Sequence, residues 1–529
     1  MQKITSKSLN QVLREVTLEY LDTLDASCPP DATVIETELL QEIRDVFELE
    51  NSVKPKGEKW KVPSTLPASV IAEVLLKFYH FIRLSPSKDD LAIFMDEGDD
   101  AGLYVTHQDV FNRLVRRFNY SITSRERAEV LDILAAHVPV RTPEQDPDTI
   151  AVNNGLFDYK LKTLMPFTPD KVYVSKSRVD YVPSPVNPVI HNPDDGTDWD
   201  VESWMNELSD DPEIVNLLWE VIGAIIRPHV RWNKSAWFYS ERGNNGKGTL
   251  CELMRQITGE GTYASIPLSE FGKDFMLEPL THTSCVIVDE NDVGTFIDKA
   301  ANIKAVITGD AIWINRKFKQ PISWQFHGFM VQCLNEMPRI RDKSESFYRR
   351  QLFIPFDKCF TGRERRYIKS DYLHRPDVLQ YVLHRVLHMD YYTLSEPASC
   401  KNVLYELQDA NDPLRQFAED VLPLCRWDLL PYQFLYDMYT AWNARNNPRG
   451  DVPSRNKFTR QLNAILGTKD PTWEVPAGPI YTGDKMSEPE PLIAEYGLDR
   501  WKHPLYRGTD LSKLCIPAVQ PSYRGLRRR

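Results

Sequence analysis

A lysine framed by small residues is the first position in this chain whose setting implies chemistry. Ser235-Ala-Trp-Phe-Tyr-Ser-Glu-Arg-Gly-Asn-Asn-Gly-Lys-Gly-Thr249 passes from an apolar, aromatic run through a Gly/Asn turn to Lys247. Leu250, Leu253, Met254 and Ile257 then recur at helical spacing. Strand, small-residue loop, lysine, hydroxyl and helix is how a phosphate-binding loop is built. Backbone N–H groups and a helix N-terminus face the anion, and the lysine reaches the outer phosphates. Gly243, Asn244, Asn245, Gly246, Lys247, Gly248 and Thr249 are therefore the candidate nucleotide-binding residues. The pattern G-x-x-x-x-G-K-[ST] is met only in part. Glu241 stands at the first glycine, Gly248 takes the hydroxyl position, and Thr249 follows one residue later. Read alone, the stretch also fits a strand-to-helix turn with an incidental lysine.

Three further groups fall at the ends of apolar runs. Ser284-Cys-Val-Ile-Val288 ends in Asp289-Glu290. Beside a phosphate loop, such an aspartate holds Mg²⁺ and the adjacent glutamate orients or deprotonates the attacking water. Gly328 to Leu334 ends in Asn335, an amide placed to sense a γ-phosphate. Arg349 and Arg350 precede the run Gln351 to Phe356, as an arginine finger acting on a neighbouring subunit's nucleotide would. Each has a plainer alternative: strand-capping acids, a turn-forming asparagine and a solvated arginine pair.

Between the first and second of these runs lies Gly309-Asp-Ala-Ile-Trp-Ile-Asn-Arg-Lys-Phe-Lys-Gln-Pro-Ile322. Period-two alternation puts Trp313, Asn315, Lys317 and Lys319 on one face and Ile312, Ile314, Arg316 and Phe318 on the other. A basic hairpin carrying aromatics suits a phosphodiester backbone, with Lys317, Lys319 and Arg316 as the candidate DNA contacts. Lysines protecting an exposed edge strand fit the same residues.

The elements that must position these groups are mostly legible. Leu9, Val12, Leu13, Val16, Tyr20 and Leu24 mark one helix face, Val34 to Leu49 a second helix, and Ala68 to roughly Ile82 a third. Leu91–Met95 and Gly102–Val105 read as strands around the acidic turn Asp96–Asp100, which is a hairpin turn or a metal-binding acid cluster. Helices follow over His107–Phe118 and Ser124–Ala136, and a strand pair over Ile150–Tyr159 turns at Asn154-Gly155. Helices near Trp199–Glu207 and Asp211–Ile226 lead into the strand before Lys247. Later, Asp412 opens a helix, Tyr432–Trp442 forms another, and Ser454 is an N-cap for a helix bearing Arg455, Lys457 and Arg460.

In this order the motifs resemble those of superfamily 3 helicases, in particular the helicase region of phage-, plasmid- and poxvirus-type primase-helicases. Asn245-Gly246-Lys247-Gly248-Thr249 is similar to that family's phosphate loop, in which Gly-Thr after the lysine is common. Asn335-x-x-Pro338 and Arg349-Arg350 with Ile354-Pro355-Phe356 are similar to its sensor and finger motifs. The resemblance spans roughly Leu91 to Gly467. It implies an α/β, AAA+-like P-loop ATPase core with a helical N-terminal region and a C-terminal winged-helix-like domain, working as a homo-hexamer on single-stranded and forked DNA. ATP and Mg²⁺ are the implied cofactors, with Thr249 and Asp289 as metal ligands and Lys247, Asp289, Glu290, Asn335, Arg349 and Arg350 as catalytic residues. The family's primase domain has no counterpart in the first 90 residues, so no primer synthesis is expected and a separate primase or polymerase is the implied partner.

Composition is that of a soluble globular protein. The chain has 529 residues, 42% hydrophobic and 26% charged, and a net charge of −11. No apolar run of membrane-spanning length occurs, so a cytoplasmic protein without membrane contact is expected. Eight scattered cysteines form no C-x-x-C pair, and Cys251, Cys285 and Cys333 read as core thiols. The last 29 residues carry seven Lys/Arg against one Asp, either a solvated tail or a DNA contact. The expected domains are a helical region (1–85), a helicase-associated α+β region (86–210), the ATPase core (211–370), a winged-helix-like region (371–470) and an extension with a basic tail (471–529). The function expected is an ATP-dependent DNA helicase of a mobile element's replication module. A replication initiator ring without processive unwinding and a small-molecule kinase are the alternatives.

Overall fold

The computed structural model describes residues 7–292, 294, 296–297, 300–340, 342, 344–446, 452–467 and 471–529. The chain divides into two compact units, Met1–Glu336 with Arg349–Cys400, and Met337–Tyr348 with Lys401–Arg529.

In the first unit, three helices open the chain: Leu9–Asp22, Ala32–Ser52 and Ala68–Phe78. The first begins at a capping box, in which Ser8 and Gln11 satisfy each other's backbone N–H groups. These helices do not form a core of their own. Val12, Ile35, Leu39, Ile71 and Leu75 pack in one apolar cluster with Ile93, Phe111, Leu134 and Leu156 from the α+β region that follows. The third helix stops four residues earlier than its apolar run implies. Phe81–Arg83 instead pairs antiparallel with Leu91–Phe94, in the register Ile82↔Ala92. Helical and strand periodicity do not separate over so short an apolar run, and the partner strand settles it. The acidic turn does join two strands, Leu91–Phe94 and Tyr104–Val105. Helices Gln108–Phe118 and Ser124–His137 and the pair Thr149–Val152 with Gly155–Asp158 lie where expected.

The centre of this unit is a five-stranded parallel sheet, giving the mixed α/β class expected. We number its strands β1 (Ser235–Tyr239), β2 (Tyr263–Ala264), β3 (Cys285–Val288), β4 (Phe329–Leu334) and β5 (Gln351–Pro355). Their spatial order is β2-β3-β4-β1-β5. All four pairings are parallel, so every strand's C-terminal end reaches the same edge. Parallel sheets are covered on both faces, and the strands accordingly read as continuous apolar runs rather than alternating ones. Ala236, Phe238, Ile287, Val331, Cys333 and Ile354 are all buried in one cluster with Leu217, Leu218, Val221 and Ile222 of helix Pro212–Ile226. Helix α1 (Lys247–Thr258) buries Leu250, Leu253, Met254 and Ile257 against the same sheet.

In the second unit, helices Pro413–Val421, Tyr432–Asn446 and Arg455–Leu466 pack around Phe417, Phe434, Phe458 and Trp501. Asp412 caps the first through its carboxylate and Leu414 N–H. Ser454 is the N-cap of the third, but its side chain makes no capping bond. A three-stranded antiparallel sheet completes the unit, with Gly525–Arg528 in the middle between Leu429–Pro431 and Trp473–Glu474. The basic terminus is therefore neither a solvated tail nor an extension outside this core. Leu526 is fully buried, Arg527 pairs with Glu474, and Arg528 pairs with Asp428 at 2.9 Å. The expected division at 470 lies outside the described residues, and a single core runs from Leu414 to Leu526.

Candidate functional site

The common edge of the parallel sheet gathers residues that are far apart in sequence. Lys247 follows β1 at the first turn of α1, Asp289 and Glu290 follow β3, and Asn335 follows β4. Lys247 is 4% exposed, and its Nζ donates to Asn335 Oδ1 at 2.9 Å and to the Ser240 carbonyl at 3.4 Å. Burial lowers its pKa, because the charged ammonium is stripped of most of its water. The Asn335 amide thus turns its oxygen to the lysine and keeps its N–H₂ group for another acceptor.

The loop between β1 and α1 turns through two left-handed residues. Gly246 sits at φ +89°, and a Cβ there would meet Leu208 Cδ2 at 2.7 Å, so only glycine fits. Asn244 also takes a left-handed conformation (φ 52°), which asparagine tolerates better than other residues. Its side chain bonds Thr361 Oγ1 at 3.3 Å and Glu364 Oε1 at 3.2 Å, and its carbonyl accepts from Phe360 N–H at 2.7 Å. Asn245 Oδ1 accepts from Lys247 N–H at 3.3 Å. Gly243 and Glu241 are exposed. Glu241, at the position where the usual pattern has glycine, is not among the residues with positive φ; it accepts from Tyr239 Oη at 2.9 Å. The positive-φ positions of the turn fall at Asn244 and Gly246, so none is required at Glu241.

Asp289 is bridged by Arg255 of α1, with Nη2 to Oδ1 at 2.9 Å and Nη1 to Oδ2 at 3.3 Å. Burial alone would raise the Asp289 pKa, but the Arg255 hydrogen bond and charge outweigh it and hold the carboxyl below its ordinary value. Glu290 is exposed and makes no hydrogen bond among the described residues. A residue that sequence reasoning passed over, Asn291, fixes this corner. It is buried, donates to Gln332 Oε1 at 2.9 Å and the Cys333 carbonyl at 3.0 Å, and accepts from Leu268 N–H at 2.9 Å. It ties the end of β3 to β4 and so sets Asp289 relative to Asn335.

Beside the loop opens a cavity of 640 Å³ lined by Gly246, Thr249, Leu208, Trp204, Phe360 and Lys369, among others. Its far wall, residues 360–370, was also missed. The run Phe360-Thr-Gly-Arg-Glu-Arg-Arg-Tyr-Ile-Lys-Ser370 carries charge but no motif, and only its bonds to Asn244 reveal its place.

Arg349 and Arg350 lie at the other end of the sheet. Arg350 precedes β5, and its carbonyl accepts from Ser235 N–H at 2.8 Å at the start of β1. Five residues of strand separate that position from Tyr239, roughly 16 Å at 3.3 Å per residue. Neither arginine reaches the phosphate loop of its own chain. Arg349 is exposed, whereas Arg350 is half-buried.

The hairpin forms, with Ala311–Ile314 paired to Ile322–Gln325. Ile312 and Ile314 are buried and Trp313 is exposed, as alternation requires. The alternation ends at Arg316. Arg316, expected to contact DNA with Lys317 and Lys319, is buried and pairs with Asp90 through Nη1 at 2.5 Å, so it is not available to a strand of DNA. Ser85 also bonds Asp90, and the guanidinium donates further to the Gln320 carbonyl. Phe318 is in a left-handed conformation (φ 61°) and 95% exposed. A tight turn, not a continuing strand, occupies 315–320, so Phe318 leaves the buried face that period-two assigns it, while Arg316 keeps that face and is buried like Ile312 and Ile314. Lys317 and Lys319 remain exposed.

Three family descriptions match parts of the chain: D5 N terminal like over residues 91–213, Family of unknown function (DUF5906) over 238–350, and Poxvirus D5 protein-like over 409–477. They agree with the resemblance carried by the motifs: the matches fit the helicase region of a D5-type primase-helicase and point to a function related to DNA replication. The A form apo structure of NrS-1 C terminal region-CTR is 16% identical, with a TM-score of 0.42 over 81% of this chain and 90% of that one. A second A form apo structure, of residues 305–718, is 15% identical, with a TM-score of 0.43 over 82% and 91%. Another apo structure of that region is 14% identical, with a TM-score of 0.42 over 75% and 85%. At those scores the fold assignment rests on the chain's own topology. No curated protein matches. Among the described residues, no helix is long and apolar enough to cross a membrane.

Proposed function

We propose that this chain is an ATP-driven DNA helicase of a mobile element's replication module, cytoplasmic in its host and working as a homo-hexameric ring with a separate primase or polymerase. One observation carries the reading. Lys247, Asp289 and Asn335 stand at the tips of three adjacent strands, with Lys247 Nζ already directed to the Asn335 amide at 2.9 Å. The strand order supports an AAA+-like P-loop core, because β4 lies between the lysine strand β1 and the carboxylate strand β3. The second unit supports a winged-helix-like domain: it combines three helices with a small antiparallel sheet, whose first strand lies between the first two helices and whose central strand comes last in the chain.

In this reading the backbone from Gly243 to Thr249 cradles the phosphates, and Lys247 meets the β/γ-phosphates. The Asn335 N–H₂ group contacts the γ-phosphate. Glu290, exposed and beside Asp289, orients and deprotonates the attacking water. Thr249 and Asp289 offer hard oxygen donors at the loop, a set that fits Mg²⁺ held mainly by phosphates and water, with Arg255 sharing the carboxylate. Bound there, Mg²⁺ neutralises developing phosphate charge. Arg349, exposed and remote from its own loop, is the finger that reaches the neighbouring subunit's ATP, while Arg350 anchors β5 to β1. The nucleotide base occupies the cavity between Trp204, Leu208 and Phe360. Lys317 and Lys319, with exposed Trp313 and Phe318, contact single-stranded DNA by charge and stacking.

The test is ATP-dependent unwinding of a forked duplex by wild type and Lys247→Ala. The reading expects unwinding by the wild type alone. Equal activity in both, or none in either with DNA binding intact, contradicts it.

A further inference from the structure

The departure at Gly248 has a structural counterpart across the cavity. A phosphate loop ordinarily carries a hydroxyl residue immediately after its lysine. Here that position is glycine, and a Cβ built on it meets one neighbour within 4 Å, the Nζ of Lys369 at 3.7 Å. The space where the hydroxyl side chain would begin is therefore bordered by an ammonium group supplied from 121 residues away in sequence.

Three observations bear on what this ammonium does. Lys369 lines the same cavity as Gly246 and Thr249, on the short helix Arg366–Ser370. Its Nζ makes no hydrogen bond or ion pair among the described residues, although carboxylates lie close. Glu252 faces Arg255 at 3.6 Å and His374 at 3.7 Å, and Asp289 is held by Arg255 at 2.9 Å. After burial and Arg255, Lys369 is a further charge felt by Asp289, so its field covers the carboxylate corner as well as the loop. The segment bearing it is fastened to the loop it faces, through Phe360 N–H to the Asn244 carbonyl at 2.7 Å and Asn244 Nδ2 to Glu364 at 3.2 Å. Ile368, one residue before, is buried in the core of the sheet. An unpaired cation held this way beside a phosphate loop is a binding group awaiting an anion.

We infer that Lys369 is a second phosphate-binding cation of the nucleotide site, approaching the phosphates through the room that Gly248 leaves. The inference rests on the nucleotide-binding reading above and adds a residue to it. Lysine suits the role as a compact, mobile point charge. Gly248 and Lys369 form a pair on this account: a larger side chain at 248 would occupy the ammonium's path to the phosphates.

The test is ATP affinity of the full chain, measured by titration calorimetry for wild type, Lys369→Ala and Lys369→Arg, with the melting temperature of each unliganded variant. Lys369 is exposed, so neither substitution should lower the melting temperature. Lys369→Ala should weaken ATP binding by about ten-fold or more, the loss expected for one charge-assisted hydrogen bond. Lys369→Arg should recover most of it, because the charge is kept. ATP affinity of the alanine variant within about two-fold of wild type, or an arginine variant no better than alanine, overturns the inference. A wild-type chain that binds no ATP overturns the nucleotide reading itself, a result distinct from failure at Lys369.

Discussion

The phosphate loop and the hairpin are both short basic stretches beside strands, and the fold treats their cations in opposite ways. At the loop, Lys247 is buried but held only by two neutral acceptors, the Asn335 amide and the Ser240 carbonyl, inside an edge where further groups converge. At the hairpin, Arg316 is equally buried but fully engaged, by Asp90 and by the Gln320 carbonyl. Lys317 and Lys319, one residue to either side of Phe318, stay in solvent. The basic terminus repeats the hairpin's lesson, since Arg527 and Arg528 pair with Glu474 and Asp428. A basic residue is informative about ligands only once its own fold has left it a vacancy. That separates Lys247, Lys369, Lys317 and Lys319 from Arg316, Arg527 and Arg528.

The sharpest way to break this division is at Asp90. If Arg316 is structural, Asp90→Ala strands a buried guanidinium and should cost roughly 3–5 kcal/mol of stability by urea unfolding. Weakened DNA affinity with unchanged stability would instead place Arg316 with the ligand-facing cations.

A half-buried ring whose Nδ1 has no hydrogen-bond partner among the described residues should behave differently again. His229 lies near His327, and burial, then that neighbour, lowers its pKa from 6.5 to about 4. Between those values the unfolded chain binds a proton that the folded chain refuses. Stability should therefore fall as the pH drops from about 6.5 to about 4, by about 3 kcal/mol if the shift is fully expressed. His229→Gln should flatten that part of the stability profile, measured by urea unfolding across the range.

At the hairpin tip, Lys317→Ala with Lys319→Ala should lower the salt dependence of single-stranded DNA binding by roughly 1.4 in slope, about 0.7 for each phosphate no longer neutralised. Phe318→Ala should cost roughly 1–3 kcal/mol of the same affinity by removing a stacking surface. Neither change should alter unfolding.

The smallest effect belongs to the terminus. Arg528→Ala removes an ion pair that is partly in solvent and should cost no more than about 1 kcal/mol, with DNA affinity unchanged.

What the sequence made legible follows from the range of the interactions concerned. The loop, the strands bearing Asp289 and Asn335, and α1 are set by local pattern: apolar runs of strand length, a turn of small residues, then helical spacing. The strand Phe81–Arg83 was hidden because its identity depends on Leu91–Phe94, not on its own residues. Arg316 was misassigned because its charge outweighed its place on the buried face beside Ile312 and Ile314, and its partner Asp90 lies 226 residues away. The role of 525–528 was hidden because distant strands decide it: Arg528 pairs with Trp473, 55 residues upstream, and Leu526 with Leu430, 96 residues upstream. Asn291 and the segment 360–370 have no motif at all. Their importance lies in bonds to β4 and to Asn244 that only the folded chain brings together.

The central claim is that Lys247 sits in a nucleotide site coupled to DNA. The rate of ATP hydrolysis with and without single-stranded DNA, for wild type and Lys247→Ala, tests it most directly. The account predicts hydrolysis by the wild type that DNA stimulates, and a drop of roughly 100-fold or more in the variant, the scale of removing a principal source of transition-state charge stabilisation. Wild-type hydrolysis indifferent to DNA, or a variant as active as wild type, would contradict it.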